Sequence, residues 1–138
     1  MDSSMEIFIS GYGRMGKMIE GVLQSRGLTC SGKSEDIVSV DKEVAKRSIC
    51  IDFTTPDAFR ANYKFIAENF AAAVVGTTGW YDISGEIFGY FEKCNTPLIW
   101  GSHFSVGVNV LSAAVDLVSK LLAKNGGYAP YTVERNHC

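Results

Sequence analysis

The residues best suited to chemistry sit in short turns, and the first of these is Gly11-Tyr-Gly13-Arg-Met-Gly16. This GxGxxG follows the apolar run Ile7-Phe-Ile9 and opens a stretch with helical spacing. In that setting each glycine has its own task. Gly11 permits a tight turn, Gly13 lets the backbone approach a pyrophosphate, and Gly16 lets helix and strand pack closely. Arg14 and Met15 complete the turn, and free N–H groups at the helix N-terminus suit phosphate oxygens. The bland alternative is a purely structural glycine turn. A rival chemistry uses the same residues, because Gly11-x-x-x-x-Gly16-Lys17 nearly matches a phosphate-binding P-loop, with Ile49-Cys-Ile-Asp52 as its magnesium-holding strand. Position 18 is Met, however, where a P-loop needs a Ser or Thr hydroxyl for magnesium.

Further candidates fall where later strands should end. Around Ser31-Gly-Lys33-Ser34, Lys33 could pair with a 2′-phosphate and Ser34 could donate to it, which favours NADPH over NADH. A solvated loop lysine is the plain alternative, and Glu35 and Asp36 follow at once. Asp52-Phe53-Thr54-Thr-Pro56 offers an apolar platform and a hydroxyl for a nicotinamide. Gly76-Thr77-Thr78-Gly79 offers close backbone approach and hydroxyls for a carboxamide. Either segment could instead be turn chemistry, with Asp52 only capping the segment after it.

The elements that must position these turns alternate along the chain. Strands are expected at Ile7–Gly11, Leu28–Ser31, Ser48–Phe53, Ala71–Val75, Pro97–Trp100 and, beginning a further one, Tyr131–Arg135. Helices are expected through Met15–Leu23 with Gly27 as stop, around Asp41–Lys46, from Pro56 to about Asn69, over Asp82–Lys93 and over Val108–Leu122. Such alternation calls for an α/β fold with a doubly wound parallel sheet. In that fold ligands gather at the carboxyl ends of the strands.

The totals agree with one ordinary domain. The chain has 138 residues, 46 % hydrophobic and 20 % charged, enough to bury a core. A net charge of −2 gives no general attraction for nucleic acid or an acidic membrane surface. No apolar run approaches the roughly 20 residues needed to span a bilayer, and the start carries no basic secretory n-region. Cys30, Cys50, Cys94 and Cys138 lie far apart. They form no CxxC pair, suggest no metal site, and fit small buried side chains in a reducing, cytoplasmic compartment.

Five segments together resemble the 4-hydroxy-tetrahydrodipicolinate reductase (dihydrodipicolinate reductase) family. They are Gly11-Tyr-Gly-Arg-Met-Gly16, Asp52-Phe-Thr-Thr-Pro56, Gly76-Thr-Thr-Gly79, Phe104-Ser-Val-Gly-Val-Asn109 and, more weakly, Glu134-Arg-Asn-His137. The resemblance implies a Rossmann-type cofactor domain over residues 1–105. Residues 106–138 would form a connecting helix and only the beginning of a second α+β domain for substrate and assembly. It implies hydride transfer from NADPH or NADH to a small cyclic dicarboxylate imine or its dehydrated form, in lysine and diaminopimelate biosynthesis, by a homotetramer. Cofactor contacts would fall on Gly11, Gly13, Arg14, Met15 and Gly16, and on Phe53, Thr54, Gly76, Thr77, Thr78, Gly101, Ser102, His103 and Phe104.

The sequence departs from the family at three places. His103 stands where the family usually has Asn. The family's paired histidines, the first a proton donor, align with Asn136 and His137. Asn136 cannot act as a general acid at neutral pH, and a slip of one residue would give His137 that role, so both alignments stay open. The family's following lysine and Ser-Gly-Thr segment, which grip the substrate carboxylates, have no counterpart before the chain ends at Cys138. The expectation is therefore a shortened form that binds cofactor but turns over poorly or not at all. The stripe along 108–122 would then be exposed and favour association. A non-catalytic dinucleotide-binding module is the alternative from a different class, and a P-loop protein a third.

Overall fold

The computed structural model describes residues 6–25, 27–101 and 130–132, together with Ala113, Asp116 and Lys120. Its strands are β1 (Glu6–Ser10), β2 (Cys30–Ser34), β3 (Ser48–Asp52), β4 (Ala72–Val75), β5 (Leu98–Trp100) and β6 (Pro130–Thr132). All pair in parallel in the order β2-β1-β3-β4-β5-β6. The helices are α1 (Arg14–Ser25), α2 (Lys42–Lys46), α3 (Pro56–Asn69) and α4 (Ser84–Cys94). Short 3-10 turns at Ile37–Ser39 and Tyr81–Ile83 precede α2 and α4. The expected α/β, Rossmann-type sheet is present.

Period-two alternation divides the strand residues between two cores. Ile7, Ile9, Ile49, Ile51, Ala72, Val74 and Ile99 pack with Ile19 and Leu23 of α1. On the other face Phe8, Cys50, Ala73, Val75 and Leu98 pack with Phe59, Tyr63 and Ile66 of α3 and with Ile87 and Phe91 of α4. The sheet is thus doubly wound, and strands covered on both faces read as near-continuous apolar runs. β3, buried throughout, is the clearest case.

Local chemistry sets the boundaries. Gly27 at φ +73° ends the turn after α1, with the Leu28 N–H donating to the Leu23 carbonyl at 2.9 Å. Thr55 caps α3 by accepting from the Ala58 N–H at 3.1 Å, and Pro56 fills the first turn. Asn95, left-handed at φ 60°, closes α4.

One strand lies elsewhere than expected. β2 runs over Cys30–Ser34, not Leu28–Ser31. It is an edge strand without a fully buried residue, so hydropathy does not mark it. Lys33 therefore belongs to the strand, and the residue after its end is Glu35. The sixth strand, expected at Tyr131–Arg135, opens at Pro130 and pairs with β5; residues 133–135 lie outside the described residues. Of the helix expected over 108–122, Ala113, Asp116 and Lys120 are described, and they are helical and exposed.

Candidate functional site

The chain leaves β1 toward one edge of the sheet, to β2, then returns past β1 to β3 and continues the other way. The crevice between the ends of β1 and β3 is therefore the topological switch point where an open α/β sheet takes its ligand. Register brings Ser10, Asp52, Val75 and Trp100 into line across β1, β3, β4 and β5. The residues directly after them, Gly11, Phe53, Gly76 and Gly101, form a row along the carboxyl edge. Each N–H in that row donates to the last carbonyl of a neighbouring strand: Gly11 to Ser34 at 2.8 Å, Phe53 to Ser10 at 3.1 Å, Gly76 to Asp52 at 2.9 Å and Gly101 to Val75 at 3.1 Å. Four separate turns noted in the sequence thus become one continuous rim.

Within the glycine turn the three glycines answer to different constraints. Gly11 adopts φ +89°, and a Cβ there would come within 2.8 Å of the Thr54 methyl and 2.9 Å of the Phe53 carbonyl oxygen. A Cβ at Gly16 would lie 2.4 Å from the Gly11 carbonyl oxygen, so α1 can approach the turn this closely only without one. Gly13 is different. Nothing lies within 4 Å of a Cβ built there, so the protein's own packing does not demand glycine. The residue is exposed where α1 begins, beside the N–H groups an anion would meet. That combination fits a dinucleotide pyrophosphate. It does not fit a P-loop, whose lysine follows the loop directly. Lys17 lies past the start of α1, its N–H already bonded to the Gly13 carbonyl at 3.0 Å.

At the adenosine side of such a ligand, Lys33 and Ser34 are already engaged. The Lys33 ammonium donates to Glu20 Oε2 at 2.7 Å and lies 4.6 Å from the centre of the Tyr12 ring. The Tyr12 hydroxyl bonds the other Glu20 oxygen. Hydrogen bonds from Lys33 and Tyr12 hold the Glu20 carboxyl below its usual range, and Glu20 in turn raises Lys33 and Tyr12. Ser34 Oγ bonds the backbone of Asp36. Glu35, next in the chain, accepts from the Tyr12 N–H at 2.8 Å and so sits against the glycine turn itself.

On the other side Phe53 covers Gly76 so closely that a Cβ there would reach within 2.3 Å of its ring. Asp52, expected to cap the following segment or, in the P-loop reading, to hold magnesium, does not cap α3, since Thr55 holds that position. Its side chain is fully buried and accepts from Ser10 Oγ at 3.1 Å, Thr54 Oγ1 at 2.8 Å, the Thr54 N–H at 3.2 Å and Thr77 Oγ1 at 2.6 Å. Burial pushes the Asp52 carboxyl above its ordinary value, against the opposing bonds from Thr77, Thr54 and Ser10. Thr77 is buried, and its oxygen also accepts from the Thr54 N–H at 2.7 Å. Its hydroxyl proton therefore serves the protein, while Thr78 stands exposed. The turn is fixed from outside as well, by Trp80 Nε1 donating to the Thr77 carbonyl at 2.5 Å and Arg60 donating to the Gly79 carbonyl at 2.8 Å.

The structure brings Gly11, Gly13, Arg14, Met15, Gly16, Phe53, Thr54, Gly76, Thr77, Thr78 and Gly101 together at one edge of the sheet, with Lys33 and Ser34 at its β2 end. Ser102, His103, Phe104, Asn136 and His137 lie outside the described residues. Arg60 gave no sequence signal of its own, and Asp52 and Glu35 were noted without the roles that they take here. Asp52 stands in an apolar strand, but besides nearby Thr54 its partners are 42 residues earlier and 25 later. Cys50 is buried and burial pushes its thiol well up, while Cys30 and Cys94 are half-buried and free. Among the described residues no group of three or more His, Cys, Asp or Glu is placed to hold a metal ion, and no helix is long and apolar enough to cross a membrane.

Comparison with known proteins accords with this geometry. Residues 5–103 match the family model described as "Dihydrodipicolinate reductase, N-terminus". A 4-hydroxy-tetrahydrodipicolinate reductase of Christiangramia forsetii is 33 % identical over 131 residues, covering 94 % of this chain and 54 % of the relative. Proteins of the same name from Ralstonia pickettii and Ralstonia nicotianae are each 29 % identical, covering 96 % of this chain and 59 % of theirs. The chain thus spans little more than half the length of these curated relatives. With a glycine turn, a Phe-Thr turn and a Gly-Thr-Thr-Gly turn aligned on one parallel sheet, the chain belongs to the dihydrodipicolinate reductase family and corresponds to its N-terminal part.

Proposed function

We propose that this chain is the dinucleotide-binding portion of an NAD(P)H-dependent reductase that converts 4-hydroxy-tetrahydrodipicolinate to tetrahydrodipicolinate. The observation that carries the proposal is the open Gly13 at the switch point, in one rim with Phe53, Gly76 and Gly101. Bound there, the cofactor supplies a hydride. The chain supplies the rest. Backbone N–H groups of Gly13, Arg14 and Met15 and the N-terminus of α1 meet the pyrophosphate. Phe53 gives the nicotinamide an apolar surface, and Thr54, Thr78 and the backbone of Gly76, Thr77 and Gly101 fix its carboxamide. By the family resemblance, Ser102, His103 and Phe104 would add to the cofactor contacts, and His137 or Asn136 aligns with the family's proton donor.

Within this proposal the cofactor preference leans to NADH. Glu35 lies against the glycine turn, where a carboxylate accepts from ribose hydroxyls and repels a 2′-phosphate. Lys33, the residue that favoured NADPH, is neutralised by Glu20. The boundary at 105/106 also remains part of the proposal, with the strand at 130–132 attached to the cofactor-binding sheet. A small cyclic dicarboxylate substrate, a tetrameric assembly and a cytoplasmic location belong to the same proposal.

The test is oxidation of NADH by the purified chain on addition of 4-hydroxy-tetrahydrodipicolinate, alongside a binding titration with NADH. Saturable binding with turnover supports the whole proposal. Binding without turnover is the outcome expected of the cofactor-binding portion alone, and absence of binding removes the basis for the proposal.

A further inference from the structure

Asp52 takes up more hydrogen bonds than any local task requires. Its backbone is already satisfied in the β-ladder, and the cap of α3 belongs to Thr55. A carboxylate fully removed from water is tolerated only when its oxygens are met by donors. These donors come from different turns of the rim. Oδ2 accepts from Ser10, the residue before Gly11. Oδ1 accepts from the N–H and hydroxyl of Thr54, beside Phe53, and from the hydroxyl of Thr77, beside Gly76. The turns after β1, β3 and β4 are thus tied to one buried side chain.

We propose that Asp52 is a positioning residue for the nicotinamide half of the cofactor, setting these three turns in register so that Phe53 and Thr54 meet the ring as one surface. The proposal rests on the dinucleotide reading given above and assigns this carboxylate no contact with the cofactor. Phe53 is held between two constraints. Its ring lies over Gly76, and its carbonyl carbon and oxygen lie close behind Gly11. Freed from Asp52, the Phe53–Thr54 peptide keeps only the Thr77 oxygen as a side-chain anchor, and Thr77 loses its shorter acceptor, keeping the longer bond to the residue 52 carbonyl at 3.3 Å. The surface under the ring would shift while the glycine turn and the start of α1 keep their places.

The isosteric amide separates register from charge. In Asp52→Asn the amide oxygen can occupy the Oδ1 position and keep the bonds from Thr54 and Thr77. The amide nitrogen then faces Ser10, whose hydroxyl can turn to accept. In Asp52→Ala all four bonds are lost.

The experiment titrates the full 138-residue chain and both variants with NADH, read by the emission of its reduced nicotinamide, and with ADP-ribose, which lacks the nicotinamide. Expected is a tenfold or greater loss of NADH affinity in Asp52→Ala, with ADP-ribose affinity kept within twofold and Asp52→Asn restoring NADH binding to within threefold of wild type. If Asp52→Ala does not fold, Thr77→Val, which keeps the carboxylate and removes its shortest donor, shows the same split at three- to tenfold. Equal losses for both ligands, unchanged NADH binding, or an Asn variant as weak as the Ala variant each overturn the proposal. A wild-type chain that binds neither ligand refutes the dinucleotide reading itself and this inference with it, and is recognised because no variant is then involved.

Discussion

Gly13→Ala is a substitution in which stability and binding should separate. In the free protein the added methyl meets no atom within 4 Å, and Gly13 is not among the glycines with positive φ. Two backbone effects then oppose each other. Restricting the unfolded chain stabilises by about 0.4–1 kcal/mol, while alanine is a poorer residue than glycine just before a helix, by a comparable amount. The net change in stability should stay within about 1 kcal/mol, or roughly 4 °C in Tm. Binding has no such compensation. In the proposed complex the methyl stands where the pyrophosphate approaches the N–H groups at the start of α1, and charge-assisted hydrogen bonds of that kind contribute about 1.5–3 kcal/mol each. Loss of one corresponds to roughly ten- to hundredfold weaker NADH. Thermal melts followed by circular dichroism, paired with NADH titrations, read both quantities on one preparation. A variant that melts like wild type and binds NADH equally well would refute the assignment of Gly13 to the pyrophosphate.

Gly16→Ala should behave differently, because its Cβ meets the Gly11 carbonyl oxygen at 2.4 Å and the turn must open; stability falls by about 1–3 kcal/mol along with NADH affinity, and an unchanged melt would contradict that close packing. Glu35→Gln should move the NADPH-to-NADH affinity ratio toward NADPH by roughly two- to tenfold at low salt, whereas Lys33→Met, removing an ammonium already held by Glu20, should leave it little changed; the reverse pattern in paired titrations would restore Lys33 as the 2′-phosphate ligand. The last prediction concerns pH. Asp52 is raised by burial in the folded chain, so the native state holds this proton more tightly than the unfolded state does. Its contribution to stability is complete below the unfolded value of about 3.9 and is lost as pH rises through the raised folded value. Urea unfolding of Asp52→Asn should therefore gain on wild type from about pH 4 upward and then level off, and a difference that is flat with pH would contradict this.

What could be read from the sequence follows a physical divide. The glycine turn was legible because close approach, tight turning and helix packing each demand glycine at a set spacing within six consecutive residues. β3, β4 and β5 were legible because burial on both faces leaves continuous apolar runs bounded by turn residues. β2 was misplaced for the opposite reason. As an edge strand of Cys, Ser, Gly and Lys it leaves no hydropathy signature, and with its end shifted to Ser34 the residue facing the glycine turn became Glu35 instead of Lys33. Asp52 looked like a local cap because its nearest threonines follow it at once. Its actual role joins Ser10 to Thr77, and only the register of three strands brings those residues together. Thr77 and Thr78 were indistinguishable as neighbours in sequence, yet one is turned into the buried network and the other into solvent.

The most direct measurement of the central claim is a titration of the purified chain with NADH, NADPH and ATP with magnesium, followed through the emission of Trp80, which is buried beside the Thr77 turn, and Trp100, at the end of β5. The account predicts saturable binding of the nicotinamide cofactors, tighter for NADH, with ATP and magnesium having no comparable effect. Saturable binding of ATP with magnesium and of neither nicotinamide cofactor would contradict it.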